Sequence, residues 1–445
     1  MANVLFTISG LRGIFGRDLT LNLVTDYVLK FTRFVRGKKI AVGRDSRPSG
    51  EILWHTVVAA LQYAGCRVYD FAICPTPAIV MMVKKMNLDA GIQITASHNP
   101  IQYNGLKFIS PEGRFFFNSE ITKFKNLLVK DIEFDEYKIQ RNYLITKNIG
   151  NQYISNIINA EYFKNIRVPK IKVAIDSCNG AAEDIAITLI KSIGAQPITI
   201  NKKTFGFPRP PEPTKDNLTK LSRFVKKHRL DVGIAFDPDG DRFACVDEKG
   251  NILSEEMTIL LALLFILSKR KGPVVVNNST TMAVDDICRD FKVSVFRSKT
   301  GEANVVEKMQ EVNALIGGEG NGGVILPSIN NTRDGLVAAT ILLKLLAQQN
   351  KPLSEIRKIF PNYYMFKTSL VKYDENWKDK IVMYFHNNKS IKKIEEIDGI
   401  KFIGDGFWVL IRQSNTEPIL RIIAESRDYN FTQKLIREAR KICAG

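Results

Sequence analysis

The sequence predicts a layered α/β protein. It comprises three related α/β domains with mixed, mostly parallel sheets, followed by a smaller C-terminal α+β domain. Three observations carry this expectation. Short apolar runs alternate with amphipathic segments from Lys39 to Ala347. That rhythm restarts twice, near Lys172 and near Met257. Beyond Ile400 it gives way to three closely spaced strand-like runs and one helix-like segment. Alternation of strand and helix patterns argues parallel pairing with crossover helices.

Taken in order, Lys39 to Val42, Arg67 to Ala72 and Ala90 to Thr95 read as strands, with helices at Ile52 to Ala64 and Ala78 to Lys85. The second unit has strands at Lys172 to Asp176 and Asp231 to Phe236, around a Gly180 turn and a helix ending at Ile193. The third has strands at Pro273 to Val276, Val293 to Phe296 and Ala314 to Ile316, and helices at Ala283 to Arg289 and Gly335 to Ala347. The last has strands at Ile400 to Phe402, Phe407 to Arg412 and Ile419 to Ala424, then a helix from Phe431 to Ile442. The chain has 445 residues, too many for one ordinary core. We place the domains at 1–152, 153–252, 253–365 and 366–445. The segment 205–213, with four Pro and Gly206, reads as a loop within the second.

Hydrophobic residues make up 45% and charged residues 25%, a globular composition that argues against long disorder. Lys plus Arg is 64 and Asp plus Glu is 46, so the net charge is +18. Such a balance attracts polyanions. The basic residues are spread along the chain, however, and the dense runs fall at predicted helix ends, where they complement the helix dipole. We therefore expect no nucleic-acid partner. The six Cys show no paired metal spacing and most sit in apolar runs, so buried free thiols are expected. The longest apolar run, Ile259 to Leu267, is too short to span a bilayer. With no signal-peptide pattern at the N-terminus, the expected location is cytoplasmic, with no membrane association.

Four runs carry chemistry. Asp237-Pro238-Asp239-Gly240-Asp241-Arg242 follows an apolar strand. Three carboxylates at alternate positions can curl round one hard cation, and magnesium prefers such oxygen ligands. A calcium loop of the EF-hand type is the competing pattern. Arg242 stands where that loop needs Gly, and the flanks read as strands. Ser97, in Thr95-Ala96-Ser97-His98-Asn99-Pro100, follows a strand end. A Ser there can be a helix cap. His98, Asn99, Asn104 and Lys107 add polar and cationic groups, and Gly105 permits close backbone approach. A Ser beside a cation suits a covalent phosphoryl intermediate. No Gly-x-Ser-x-Gly elbow is present, which argues against an α/β-hydrolase triad.

Gly317 to Gly323 formally matches the dinucleotide pattern through Gly318, Gly320 and Gly323, but no helix follows directly. A loop bringing Glu319 to a polar ligand fits better. Arg412-Gln413-Ser414-Asn415-Thr416-Glu417-Pro418, with Arg421 beyond, can be an anion cradle or a polar hairpin turn. Arg supplies a forked donor pair suited to phosphate.

In this order, the four runs resemble the α-D-phosphohexomutase family over essentially the whole chain. Ser9-Gly-Leu-Arg12-Gly13, Gly43-Arg-Asp-Ser-Arg47 and Lys299-Thr300-Gly301 are smaller matches. The resemblance implies an isomerase, an intramolecular phosphotransferase acting between hexose or hexosamine 1- and 6-phosphates through a bisphosphate. It implies Ser97 as phosphoryl carrier. Magnesium would be held by phospho-Ser97, Asp237, Asp239 and Asp241. Lys107, Arg12 and His98 become candidates for proton transfer or charge stabilisation, with Lys107 preferred. Arg242, Glu319 and Asn321 would meet the sugar. Arg412, Ser414, Asn415, Thr416 and Arg421 would hold the phosphate that is not reacting. Many members end the sugar loop with His, where this chain has Gly323. The Glu319-Gly-Asn-Gly-Gly loop looks like that of a phosphoglucosamine mutase branch. Ser414-Asn415-Thr416 leans toward phosphomannomutase and phosphoglucomutase. The competing functions are a magnesium-dependent sugar phosphatase using the same groups and, from charge alone, a nucleic-acid-binding protein. The sequence sets no oligomeric state.

Overall fold

A computed structural model describes residues 5–127, 144–201, 206–386, 389–414 and 419–444. Four sheets follow one another along the chain. In the first, strands Lys39–Arg44, Arg67–Ile73, Ala90–Ile94 and Leu144–Thr146 run parallel. Leu5–Thr7, Gly10–Ile14 and Tyr103–Ile109 complete it in antiparallel pairing. The second sheet pairs Val232–Phe236 and Gln196–Thr199 parallel to Lys172–Asp176, and closes with antiparallel Phe243–Asp247. The third pairs Val295–Ser298 and Ile316–Glu319 parallel to Val274–Asn277, and closes with antiparallel Gly323–Ile325. The fourth is wholly antiparallel, with five strands. The predicted fold class is therefore the observed one.

The central strands form because they are apolar on both faces. Every residue of Ala90–Ile94 and of Val232–Phe236 is buried, as parallel strands covered by helices require. Ile259 to Leu267 lies in the helix Glu256–Leu267 and is buried except at Leu264. The helix Gly335–Gln349 starts at Asp334, whose carboxylate accepts from the Leu336 and Val337 N–H groups. One apolar cluster runs from Ala41 to Phe360 and joins the first three sheets. The fourth sheet has its own core, built around Trp377, Phe385 and Phe402. All six Cys are buried free thiols. Among the described residues no helix is long and apolar enough to cross a membrane.

Two strands lie further along the chain than predicted. Val295–Ser298 replaces Val293 to Phe296, and Ile316–Glu319 replaces Ala314 to Ile316. The second shift has a clear cause. Gly317 and Gly318 are strand residues because they lie against close neighbours. A Cβ on Gly317 would sit 2.6 Å from the Val275 carbonyl oxygen, and one on Gly318 would sit 2.2 Å from that of Gly323. The glycine-rich run is thus a hairpin that holds Glu319 at a strand end rather than an open loop.

Candidate active site

Ser97 follows the strand Ala90–Ile94 with a left-handed backbone, φ 49°. The next element is the strand Tyr103–Ile109, so Ser97 caps no helix. The strained turn is held by Arg47. Its guanidinium donates to the carbonyls of Ser97 (2.5 Å), Asn99 (2.8 Å), Pro100 (2.7 Å) and Tyr103 (3.0 Å). Asp45 anchors Arg47 at 3.0 Å and accepts from the Thr95 hydroxyl at 2.6 Å. Thr95 Oγ1 in turn accepts from the Ser97 N–H. A buried, fully bonded network of this kind fixes one loop geometry. Gly105 allows the neighbouring strands to close, since a Cβ there would lie 2.1 Å from the Leu11 carbonyl oxygen.

The fold brings Ser97 to the aspartate loop. Its Oγ donates to Asp237 Oδ2 at 2.9 Å. Ligand oxygens of Asp237, Asp239 and Asp241 lie within 4.8 Å of one another, and all three residues are buried. Gly240, at φ 71°, lets this loop turn. The first domain pins it from outside. Thr76 donates its hydroxyl to Asp239 Oδ2 at 2.5 Å and its N–H to the Asp239 carbonyl at 2.8 Å. Lys107 Nζ bridges Asp239 (2.7 Å) and Asp241 (2.9 Å).

Electrostatics separate these groups. Burial, then Asp239 and Asp241, push the Asp237 carboxyl well above the carboxylate range. Burial and Asp241 work against ionisation of Asp239, yet Lys107 and Thr76 hold its carboxyl low. Against burial, Arg333, Lys107 and Arg242 hold Asp241 low. Against burial, the two carboxylates keep Lys107 protonated. Asp239 Oδ1 and Asp241 Oδ1 are buried without a hydrogen-bond partner. Two such oxygens on ionised groups beside Ser97 fit a hard divalent cation.

The site opens into a cleft of about 780 Å³ that also takes in Arg12, His98, Arg242, Glu319, Asn321, Arg412, Ser414 and Arg421. Arg12 donates to Asn99 Oδ1 at 3.0 Å, and burial brings its pKa down to about 10. Burial, then Arg242 and Arg12, push His98 well below the usual imidazole value, so it is neutral at pH 7. Arg242 Nη2 lies 3.5 Å from His98 Nε2, and Arg242 also pairs with Glu212. Glu319 is held by Asn277 (2.8 Å), the Gly301 N–H (3.0 Å) and Arg333 (2.9 Å). Asn321 Nδ2 is 3.4 Å from Glu319 Oε2.

On the fourth sheet, Arg412 and Arg421 stand directly opposite each other on neighbouring antiparallel strands. Like charges in that register repel. Burial, eased by Asp398 but not by Arg421, lowers the Arg412 pKa. Both features suit a bound anion. Asn415 and Thr416 lie outside the described residues.

Sequence reasoning passed over Arg333, Arg47, Thr76 and Glu302. Arg47 had a signal in its short match, but its role needs four carbonyls from a distant turn. Arg333 had only the helix start at Asp334-Gly335 beside it.

Models of the phosphoglucomutase/phosphomannomutase family match this chain in four consecutive pieces. Its α/β/α domains I, II and III match residues 3–133, 151–250 and 254–363, and its C-terminal domain matches 350–442. A phosphoglucosamine/phosphogalactosamine mutase of Sulfurisphaera tokodaii is 33% identical, with 99% of each chain covered. This chain belongs to the phosphoglucomutase/phosphomannomutase family. Members of the family, the α-D-phosphohexomutases, are isomerases that interconvert sugar phosphates, and this chain is one of them. It is also 33% identical to a phosphoglucomutase/phosphomannomutase of Thermococcus kodakarensis, over 98% of this chain and 99% of that one. Among solved structures, a putative phosphomannomutase from Thermus thermophilus superposes with a TM-score of 0.83 at 23% identity, covering 99% of both chains. An N-acetylphosphoglucosamine mutase of Aspergillus fumigatus, solved with GlcNAc-6P and magnesium, has the same fold at TM-score 0.60 and 14% identity, over 98% of this chain and 95% of that one.

Proposed function

We propose that this phosphohexomutase carries the phosphoryl group on Ser97 and interconverts 1- and 6-phosphates of a hexose or hexosamine. The observation that carries this is the placement of Ser97 Oγ 2.9 Å from Asp237, beside two ionised carboxylates with unpartnered oxygens. Asp237, Asp239, Asp241 and phospho-Ser97 would hold magnesium. Bound there, it would supply positive charge against the phosphoryl oxygens.

The chain's own groups do the rest. Glu319 orients the sugar hydroxyls, with Asn321 and Arg242 at its side. Arg412, Ser414 and Arg421 hold the phosphate that is not reacting. In the first transfer the Ser97 Oγ–P bond breaks and a bond forms from phosphorus to the sugar hydroxyl oxygen. The proton released by the sugar hydroxyl ends on Ser97 Oγ as the Oγ–P bond breaks, and neutral His98, next to Ser97 in the chain, can relay it. Lys107 stays protonated between two carboxylates, so it serves as a cation rather than a base. Arg12 adds a second positive charge. The bisphosphate then turns over, and Ser97 recovers a phosphoryl group from its other end. Closure of the cleft around the sugar would exclude water and favour return to Ser97 over release to water, which distinguishes a mutase from a phosphatase.

Intact-mass analysis of fresh protein should show one partly occupied phosphoryl group. Ser97→Ala should lose both that group and mutase activity, by at least about 10³-fold. Full activity in the variant would refute the carrier role. A coupled assay with glucose, mannose and glucosamine phosphates assigns the sugar.

A further inference from the structure

Arg333 lies just before the helix Gly335–Gln349 and is buried. Its guanidinium reaches carboxylates from three separate segments. Nη2 lies 2.8 Å from Asp241 Oδ2 in the aspartate loop, and Nη1 lies 2.9 Å from Glu319 Oε2 at the end of the third-domain hairpin. Nε lies 3.2 Å from Glu302 Oε2 at the start of the helix Glu302–Glu311. Glu302 also accepts from the Arg333 N–H at 2.8 Å, fixing the base of the side chain.

The course of this side chain depends on Gly323. A Cβ at position 323 would lie 2.2 Å from Arg333 Cδ and 2.8 Å from its Cγ. Gly323 is a strand residue without a positive φ, so backbone strain does not demand glycine there. Crowding by Arg333 does. The space that a side chain at this position would enter is filled by the stem of Arg333.

We propose that Arg333 is a positioning residue that ties the sugar-holding Glu319 to the metal-loop carboxylate Asp241, and that Gly323 is glycine to let it pass. The proposal rests on the reading of Asp241 as a metal ligand and of Glu319 as the sugar contact. A forked guanidinium suits the task, because its two Nη groups can each serve a different carboxylate in a fixed geometry. Partners of this kind behind a metal ligand govern the affinity of the site. Arg333 thereby links the element that holds the sugar to the element that transfers the phosphoryl group.

Magnesium affinity is measured by calorimetry in the Ser97→Ala background, where no turnover is needed. That keeps the result legible even if the carrier reading fails. Arg333→Ala should weaken magnesium binding about tenfold. In the Ser97 enzyme it should raise KM and lower kcat together, for about a 10²-fold loss in kcat/KM. Gly323→Ala adds no polar atom, yet should weaken magnesium binding to a similar extent by displacing Arg333. In the Arg333→Ala background the same change should cost less than about twofold, because the conflict is gone. Unchanged magnesium affinity in Gly323→Ala would overturn the proposal, and that variant can be read even if Arg333→Ala does not fold. Losses that multiply in the double variant would overturn it as well.

Discussion

The first three sheets and the fourth are joined to the site in different ways. Sheets one to three share a continuous apolar cluster from Ala41 to Phe360, and Phe236 and Phe243 on either side of the aspartate loop belong to it. The fourth sheet has a separate core. It docks mainly through polar contacts. Lys401 donates to the Asn278 carbonyl at 2.7 Å, Glu425 accepts from the Met282 N–H at 2.8 Å, and Asp398 accepts from the Thr300 N–H at 3.0 Å. One small apolar contact, Met282 against the Trp408 cluster, accompanies them. Burying a shared core commits the first three sheets to one arrangement. A polar seam can exchange its partners for water at lower cost. The proposed transfer groups therefore lie in the part with the shared core, while the Arg412–Arg421 pair belongs to the part that is displaced at lower cost. In the reaction proposed above, a bisphosphate presents both ends to one serine, and such a division would serve it.

The sharpest break of this contrast is in the rigid half. Asp239→Asn keeps the shape but removes the charge that faces Lys107. Activity should fall by about 10³-fold or more, and magnesium binding by at least tenfold, read by coupled assay and calorimetry. Retained magnesium affinity would show that the aspartate loop is not the metal site. Next comes the displaceable half. Arg412→Ala should raise KM about 10- to 100-fold, since a charge-assisted bond of roughly 1.5–3 kcal/mol is lost. kcat should change far less, because the role proposed for Arg412 is to hold the phosphate that is not reacting. A collapse of kcat at unchanged KM would erase the proposed division.

The third break is at the seam itself and bears on stability rather than on activity. Glu256 accepts from the Thr281 N–H at 3.0 Å and lies 3.4 Å from Lys367 of the fourth sheet. Burial raises its pKa to about 7, with Lys367 and Thr281 opposing and Glu425 and Glu255 adding. A carboxyl that holds its proton more tightly when folded contributes stability below about pH 4.5, and that stability is lost as the pH rises through about 7. Glu256→Gln should therefore lose about 2–3 kcal/mol less than the parent chain over that window. Parallel denaturation curves for the two proteins, measured at pH 4.5 and 8, would place the titration elsewhere.

The sequence by itself determined the repeating α/β order, the smaller final domain and the four chemical runs. Local signals suffice for these: apolar periodicity marks buried central strands, and carboxylates at alternate positions between strand-like flanks mark a candidate cation loop. Strands such as Leu5–Thr7, Leu144–Thr146 and Gln196–Thr199 were not legible. They are short and lie at sheet edges, where one-sided burial leaves little apolar pattern. The hairpin at Glu319 was also hidden, because glycines chosen for close backbone approach look like a loop. Only the tertiary structure decided how the runs meet. Ser97 and Asp237 are 140 residues apart, and their hydrogen bond exists because two sheets share a core. Arg47 and Arg333 show the same dependence. A guanidinium has no periodicity of its own, and its partners are carbonyls and carboxylates that only folding gathers around it.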